Sequence, residues 1–131
     1  MTQPAPQRVI TVSIIGTGED ADVYYSYLSP VSGLSYTYCP VCDIVADQAI
    51  NSLFVLDYFA TQNGWTIAGS SPKEGSPSLE SVQGALNLSM MTINPYSSPE
   101  AVYKFFIHYV NTVTGDEMER DPQIGNVVKP N

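Results

Sequence analysis

The sequence predicts an all-β domain: a single antiparallel β-sandwich, with a partly open β-barrel as the alternative closure. Three observations predict it. Short runs rich in Val, Ile, Thr, Tyr and Phe recur along the chain, the residue types that suit a pleated, half-buried surface. Gly, Pro and Asn punctuate these runs at short spacing, as turns require. The 131 residues are 44% hydrophobic and only 14% charged, enough for one buried core and too few for two well-packed ones.

The elements follow in order. Residues 1–7, MTQPAPQ, form a Pro-rich polar leader expected to be mobile, leaving 8–131 as the folded domain. Residues 8–15, RVITVSII, read as a strand ended by the Gly16-Thr17-Gly18 turn. DVYYSYL, at 22–28, alternates and stops at Ser29-Pro30, and LSYTY, at 34–38, is a short third strand. The stretch DIVADQAINSLFVLDYF, 43–59, has two readings: Ile44, Val45 and Ala49 suit a short helix, whereas 52–57 suit a buried strand. Asn63-Gly64 signals a tight turn before WTIA, 65–68, so these two strands are expected to form a hairpin. SSPKEGSP, 70–77, reads as loop, and LNLSMMTI, 86–93, as a strand closed by Asn94-Pro95.

The longest apolar run, VYKFFIHYVNTV at 102–113, supports two periods. As a helix it would open on Ser98-Pro99-Glu100, a cap, a first-turn proline and a first-turn acid. As a strand it places Tyr103, Phe105, Ile107 and Tyr109 on one face and Lys104, Phe106, His108 and Val110 on the other. The aromatic and β-branched content favours the strand.

Charge and motifs exclude several function classes. Thirteen acidic against five basic side chains give a net charge of −8, a field that repels phosphate backbones and anionic lipid, so neither nucleic acid nor membrane is an expected partner. The opening MTQPAPQRVITVSIIG lacks a basic leader followed by a long apolar core and a cleavage site, so a cytoplasmic location is expected. No Gly-rich phosphate loop or G-x-S-x-G element occurs, and no cofactor is expected.

The two cysteines form one motif, Cys39-Pro40-Val41-Cys42. The spacing suits half of a tetrahedral zinc site or a dithiol couple. Zinc would need two more ligands, and His108 is the single histidine, so carboxylates would have to complete the set. A structural or incidental pair of reduced thiols is the favoured reading, with the dithiol couple next and the metal site last.

The remaining chemistry gathers near the C-terminus. After the turn at Thr114-Gly115, an extended return places Glu117, Glu119 and Asp121 on one face, toward Lys104 and His108. The Asp121-Pro122 bond is the weakest ordinary peptide link, since the Asp carboxyl can attack its own carbonyl and the Pro nitrogen is a comparatively good leaving group. Asp121 could form a cyclic anhydride, Glu119 or His108 could move protons, and Lys104 or water could capture the acyl group. The plainer readings are an Asp-Pro turn, an edge-strand lysine and a structural histidine.

The aromatic strand with an internal lysine, YKFFIHYVNTVTG, followed by an acidic linker and DPQIGN, resembles the DP-EP family of small bacterial proteins. RVITVSIIGTG and NGWTIAGSSP extend the likeness upstream. The resemblance implies a β-sandwich that cuts itself after the Asp of the Asp-Pro pair and joins that Asp to a strand lysine. Carried over by position, the cut bond is Asp121-Pro122, the amine is Lys104, and the substrate is the chain's own tail, 122–131. The expected activity is thus single-turnover, aspartic-type self-cleavage. The alternatives are a non-enzymatic β-sandwich that binds a partner or self-associates, and a redox or metal module on Cys39 and Cys42.

Overall fold

A computed structural model describes residues 6–29 and 31–128. Most of the expected mobile leader, residues 1–5, lies outside the described residues, as do Pro30 of the Ser29-Pro30 stop and residues 129–131 of the tail. Gln7 already belongs to the first strand.

Strands β1 (Gln7–Ile15) and β2 (Asp22–Leu28) form where apolar and polar residues alternate, and they pair antiparallel. Gly16 turns the chain between them at φ 105°, a left-handed conformation that glycine adopts without a Cβ clash. Strand β3 (Ser35–Cys39) adds to the edge of β2, and β4 (Asp43–Ala46) leaves for a second sheet. Strand β5 (Ile50–Leu56) returns and lies parallel to β1. Helix α1 (Tyr58–Gln62) follows, its first turn capped by the Asp57 carboxylate, which accepts from the Ala60 N–H at 3.0 Å. The remaining strands are β6 (Trp65–Pro72), β7 (Glu80–Gln83), β8 (Ser89–Asn94), β9 (Val102–Asn111), β10 (Glu117–Arg120) and β11 (Gln123–Asn126).

One sheet has the order β3-β2-β1-β5-β8-β7. The other is built on β9, with β6 along one edge, β10 and β11 sharing the opposite edge, and β4 beyond β11. Both sheets are open, so the sandwich is the observed architecture. The sheets are mixed rather than purely antiparallel: β1 runs parallel to β5, and β11 to β4. The chain changes sheet from β3 to β4 and again from β4 to β5, β5 to β6, β6 to β7 and β8 to β9, and parallel neighbours need such crossovers rather than a tight turn.

Several local expectations are corrected. Ile44 and Val45 lie in strand β4, not a helix, while the short helix comes at Tyr58–Gln62. The hairpin expected across Asn63-Gly64 does not form: β5 pairs with β1 and β8, whereas β6 pairs with β9, because α1 carries the chain from one sheet to the other. Ser70, Ser71 and Pro72 belong to β6, so the expected loop starts later. Positive φ at Leu86 and Asn87 delays the next strand to Ser89. The strand reading of 102–113 holds as β9, and its apolar face of Tyr103, Phe105, Ile107 and Tyr109 is buried.

The core lies between the sheets. Ile10, Val12, Ile14, Tyr25 and Phe54 from the first meet Ile44, Trp65, Ile67, Phe105, Ile107 and Ile124 from the second in one cluster. Phe54 and Phe105 touch edge-to-face across the interface at 6.3 Å. The Trp65 indole donates to the Gly16 carbonyl at 2.8 Å, so its burial leaves no orphaned donor. Buried Asn94 donates to Asn126 at 2.7 Å, and Asn126 in turn donates to the Ser98 carbonyl at 2.8 Å, clasping β11 to the first sheet.

Candidate functional site

The Asp121-Pro122 bond lies within an extended path rather than at a turn. Arg120 stands opposite Ile107 and Gln123 opposite Lys104, so β10 and β11 keep one register along β9. The ladder breaks at Asp121 and Pro122 alone, and proline has no N–H to donate. Alternation runs through the break: Met118, Pro122 and Ile124 are buried, while Glu119 and Asp121 face outward.

Downstream of that bond the strand is held on both sides. The Gln123 N–H donates to the Cys42 carbonyl at 2.9 Å, and the Asn126 N–H to the Ala101 carbonyl at 2.8 Å. Gln123 and Ile124 pair with Lys104 and Tyr103 on β9, and residues 123–126 pair with β4.

The amine in contact with Asp121 is Lys73. Its Nζ lies 2.6 Å from Asp121 Oδ2 and 5.2 Å from the centre of the Phe106 ring. Lys73 follows the end of β6, and its backbone N–H donates to the Lys104 carbonyl at 2.9 Å. The side chain therefore crosses β9 over Phe106 to reach the far edge. The Lys73 hydrogen bond holds the Asp121 carboxyl below the usual aspartate range, against the opposing effect of burial.

Lys104 is exposed on the outer face of β9, which is a central strand rather than an edge. It shares a pocket of about 300 Å³ with Lys73, Asp121, Pro122, Cys42 and Gln123, but among the described residues no carboxylate lies within 4.0 Å of its ammonium. His108 and Glu119 are brought together, directly opposite each other on β9 and β10, with His108 Nδ1 3.5 Å from Glu119 Oε2. The other ring nitrogen, Nε2, lies 2.7 Å from Ser71 Oγ. His108 thus has Ser71 and Glu119 as neighbours, not Asp121.

Cys39 is half-buried on β3 and Cys42 is buried, both as free thiols. Burial pushes the Cys42 thiol well up, the opposite of what a metal ligand or attacking thiolate needs. Among the described residues, no group of three or more His, Cys, Asp or Glu side chains converges as a metal site would require. No helix among them is long and apolar enough to cross a membrane.

Lys73 and Ser71 are the residues that sequence reasoning missed, both inside the segment read as loop. One signal was present: with thirteen acids and five cations, each lysine is a candidate partner for a carboxylate wherever it lies. Compared with known proteins, the chain matches no family model and no curated protein.

Proposed function

We propose that the chain is a self-processing domain that cleaves its own Asp121-Pro122 bond in a single turnover, in the manner implied by its resemblance to the DP-EP family. The observation that carries the reading is the Lys73 contact at 2.6 Å on the carboxyl of an Asp-Pro bond whose downstream strand is anchored on both sides. The contact favours ionised Asp121, the nucleophilic form, and sets an ammonium beside the reacting group.

In the reaction, an Asp121 carboxylate oxygen attacks the Asp121 main-chain carbonyl carbon. The bond to the Pro122 nitrogen breaks, and that nitrogen takes a proton from the Lys73 ammonium. The products are a cyclic anhydride, a free Pro122 amine and a neutral Lys73 amine. Attack of this amine on either anhydride carbonyl forms an amide, releases the other carboxylate and sheds one proton. Water instead of the amine leaves two free carboxyl groups. Holding the groups together supplies proximity worth on the order of 7–11 kcal/mol where alignment is good.

Lys73 takes the linking role in this scheme because it touches Asp121. Lys104, the lysine matched by the resemblance, lines the same pocket and is the competing acceptor. Denaturing intact mass of freshly purified and incubated protein tests the reading. Cleavage yields a free peptide of residues 122–131 and a fragment of residues 1–121, one water lighter if an amine has captured it. A single uncut mass that never changes overturns the proposal and leaves a binding module.

A further inference from the structure

We infer that Ser71, His108 and Glu119 form a second reactive site, a serine acyl-transfer centre for small neutral or cationic carboxylic esters. It uses neither Asp121 nor Lys73, so it stands or falls separately from self-cleavage.

Three adjacent strands supply the three side chains. The Glu119 carboxylate lies 3.5 Å from His108 Nδ1, an ion-pair distance rather than a formed hydrogen bond, and an ionised carboxylate can only accept, so its nearness favours the proton of a neutral imidazole on Nδ1. That leaves Nε2 as the acceptor for the Ser71 hydroxyl at 2.7 Å. Nucleophile, base and orienting acid thus stand in the order that acyl transfer requires, and this constellation is recognised by roles rather than by sequence position.

A backbone irregularity puts Ser71 there. Trp65 and Ile67 point into the core, and simple alternation would send residues 69 and 71 inward as well. The register along β9 instead shifts between Ile67 and Gly69, leaving Ala68 as an extra residue. Beyond this bulge Gly69 stands opposite His108, Ser71 opposite Phe106, and Ser71 emerges on the outer face. Bulges beside functional sites re-aim side chains in this way.

The same bulge leaves room for a substrate. No atom outside Gly69 and its chain neighbours lies within 4 Å of where a Gly69 Cβ would sit. His108 lines a pocket of about 510 Å³ with Ala68, Gly69, Ser70, Val110 and Met118, which Ser71 adjoins through its contact with the His108 ring rather than by lining it. Glu117 and Glu119 also line it, which disfavours anionic substrates.

In the first step the Ser71 oxygen attacks the ester carbonyl carbon and its proton passes to His108 Nε2. The alkoxide leaves with that proton, forming an acyl-serine and a free alcohol. Water, deprotonated by His108, then releases the acid and restores Ser71. Glu119 acts through His108 and is a positioning residue.

The test uses full-length protein with 4-nitrophenyl butyrate and a fluorophosphonate label mapped by peptide mass. The expected label is on Ser71, with hydrolysis above buffer that is lost in Ser71→Ala and reduced on the order of 100-fold to 10,000-fold in His108→Gln. Glu119→Gln should lower kcat with KM unchanged, and Glu119→Asp should restore part of it. The neutral butyrate should react faster than the anionic 4-nitrophenyl hemisuccinate. The label mapping needs no variant to fold, and absence of label from Ser71 in the wild-type protein overturns the inference. Hydrolysis that persists in Ser71→Ala also overturns it, since His108 would then act alone.

Discussion

Lys73 and Asp121 are 48 positions apart in sequence and meet at 2.6 Å across the full width of β9, with the Phe106 ring beside the bridging ammonium. The pair is partly solvated, with side chains 33% and 57% exposed. It therefore contributes little to stability by itself. Its consequence is chemical, because the carboxylate it holds belongs to an Asp-Pro bond.

Substituting either lysine separates their roles. Lys73→Ala removes the proton donor and the nearest amine, and self-cleavage should slow by about 100-fold, the lower range for loss of a general acid. The dehydrated 1–121 fragment should vanish with it. Lys104→Ala should leave both rate and cross-link intact. Intact mass against time checks this, and a link that survives in Lys73→Ala but not in Lys104→Ala would assign the acceptor to Lys104.

The Asp121 carboxyl titrates below its ordinary range because of Lys73. A carboxyl lowered on folding contributes stability above its unfolded value, and that contribution is lost as pH falls through the folded value. The small stability advantage of the wild type over Lys73→Ala should therefore shrink on acidification and disappear below the folded value. High salt should shrink it too. A carboxyl carbon titration followed by NMR should show Asp121 titrating at higher pH in Lys73→Ala.

The Asn94–Asn126 clasp should hold the tail after a cut. Asn126→Ala and Asn94→Ala each strand a buried polar group and should cost about 1–3 kcal/mol, with the double variant costing less than the sum. Urea unfolding measures these costs. After cleavage, gel filtration should find residues 122–131 still bound to the wild-type fragment and released from the Asn126→Ala fragment.

The two thiols should differ sharply. Cys39 is partly exposed, whereas Cys42 is buried with its thiol pushed up. An aromatic disulfide reagent should modify Cys39 in the native protein and reach Cys42 only in denaturant. Rapid reaction of both native thiols would revive the dithiol reading.

The all-β class, the strand at β9 and its buried face were all legible in the residues alone. Alternation of apolar and polar side chains within one strand encodes its facing locally, so Tyr103, Phe105, Ile107 and Tyr109 could be read inward without knowing their partners. The outward sharing of Glu119 and Asp121 was legible for the same reason. Which strands lie beside β9, and in what register, depended on how the whole chain packs. Pairing of β6 with β9 depends on α1 carrying the chain across the core, and no local period reports that. The bulge at Ala68 then reverses the facing of every later residue in β6, so Ser71 arrives beside His108, and Lys73 at Asp121, from a segment whose composition reads only as loop.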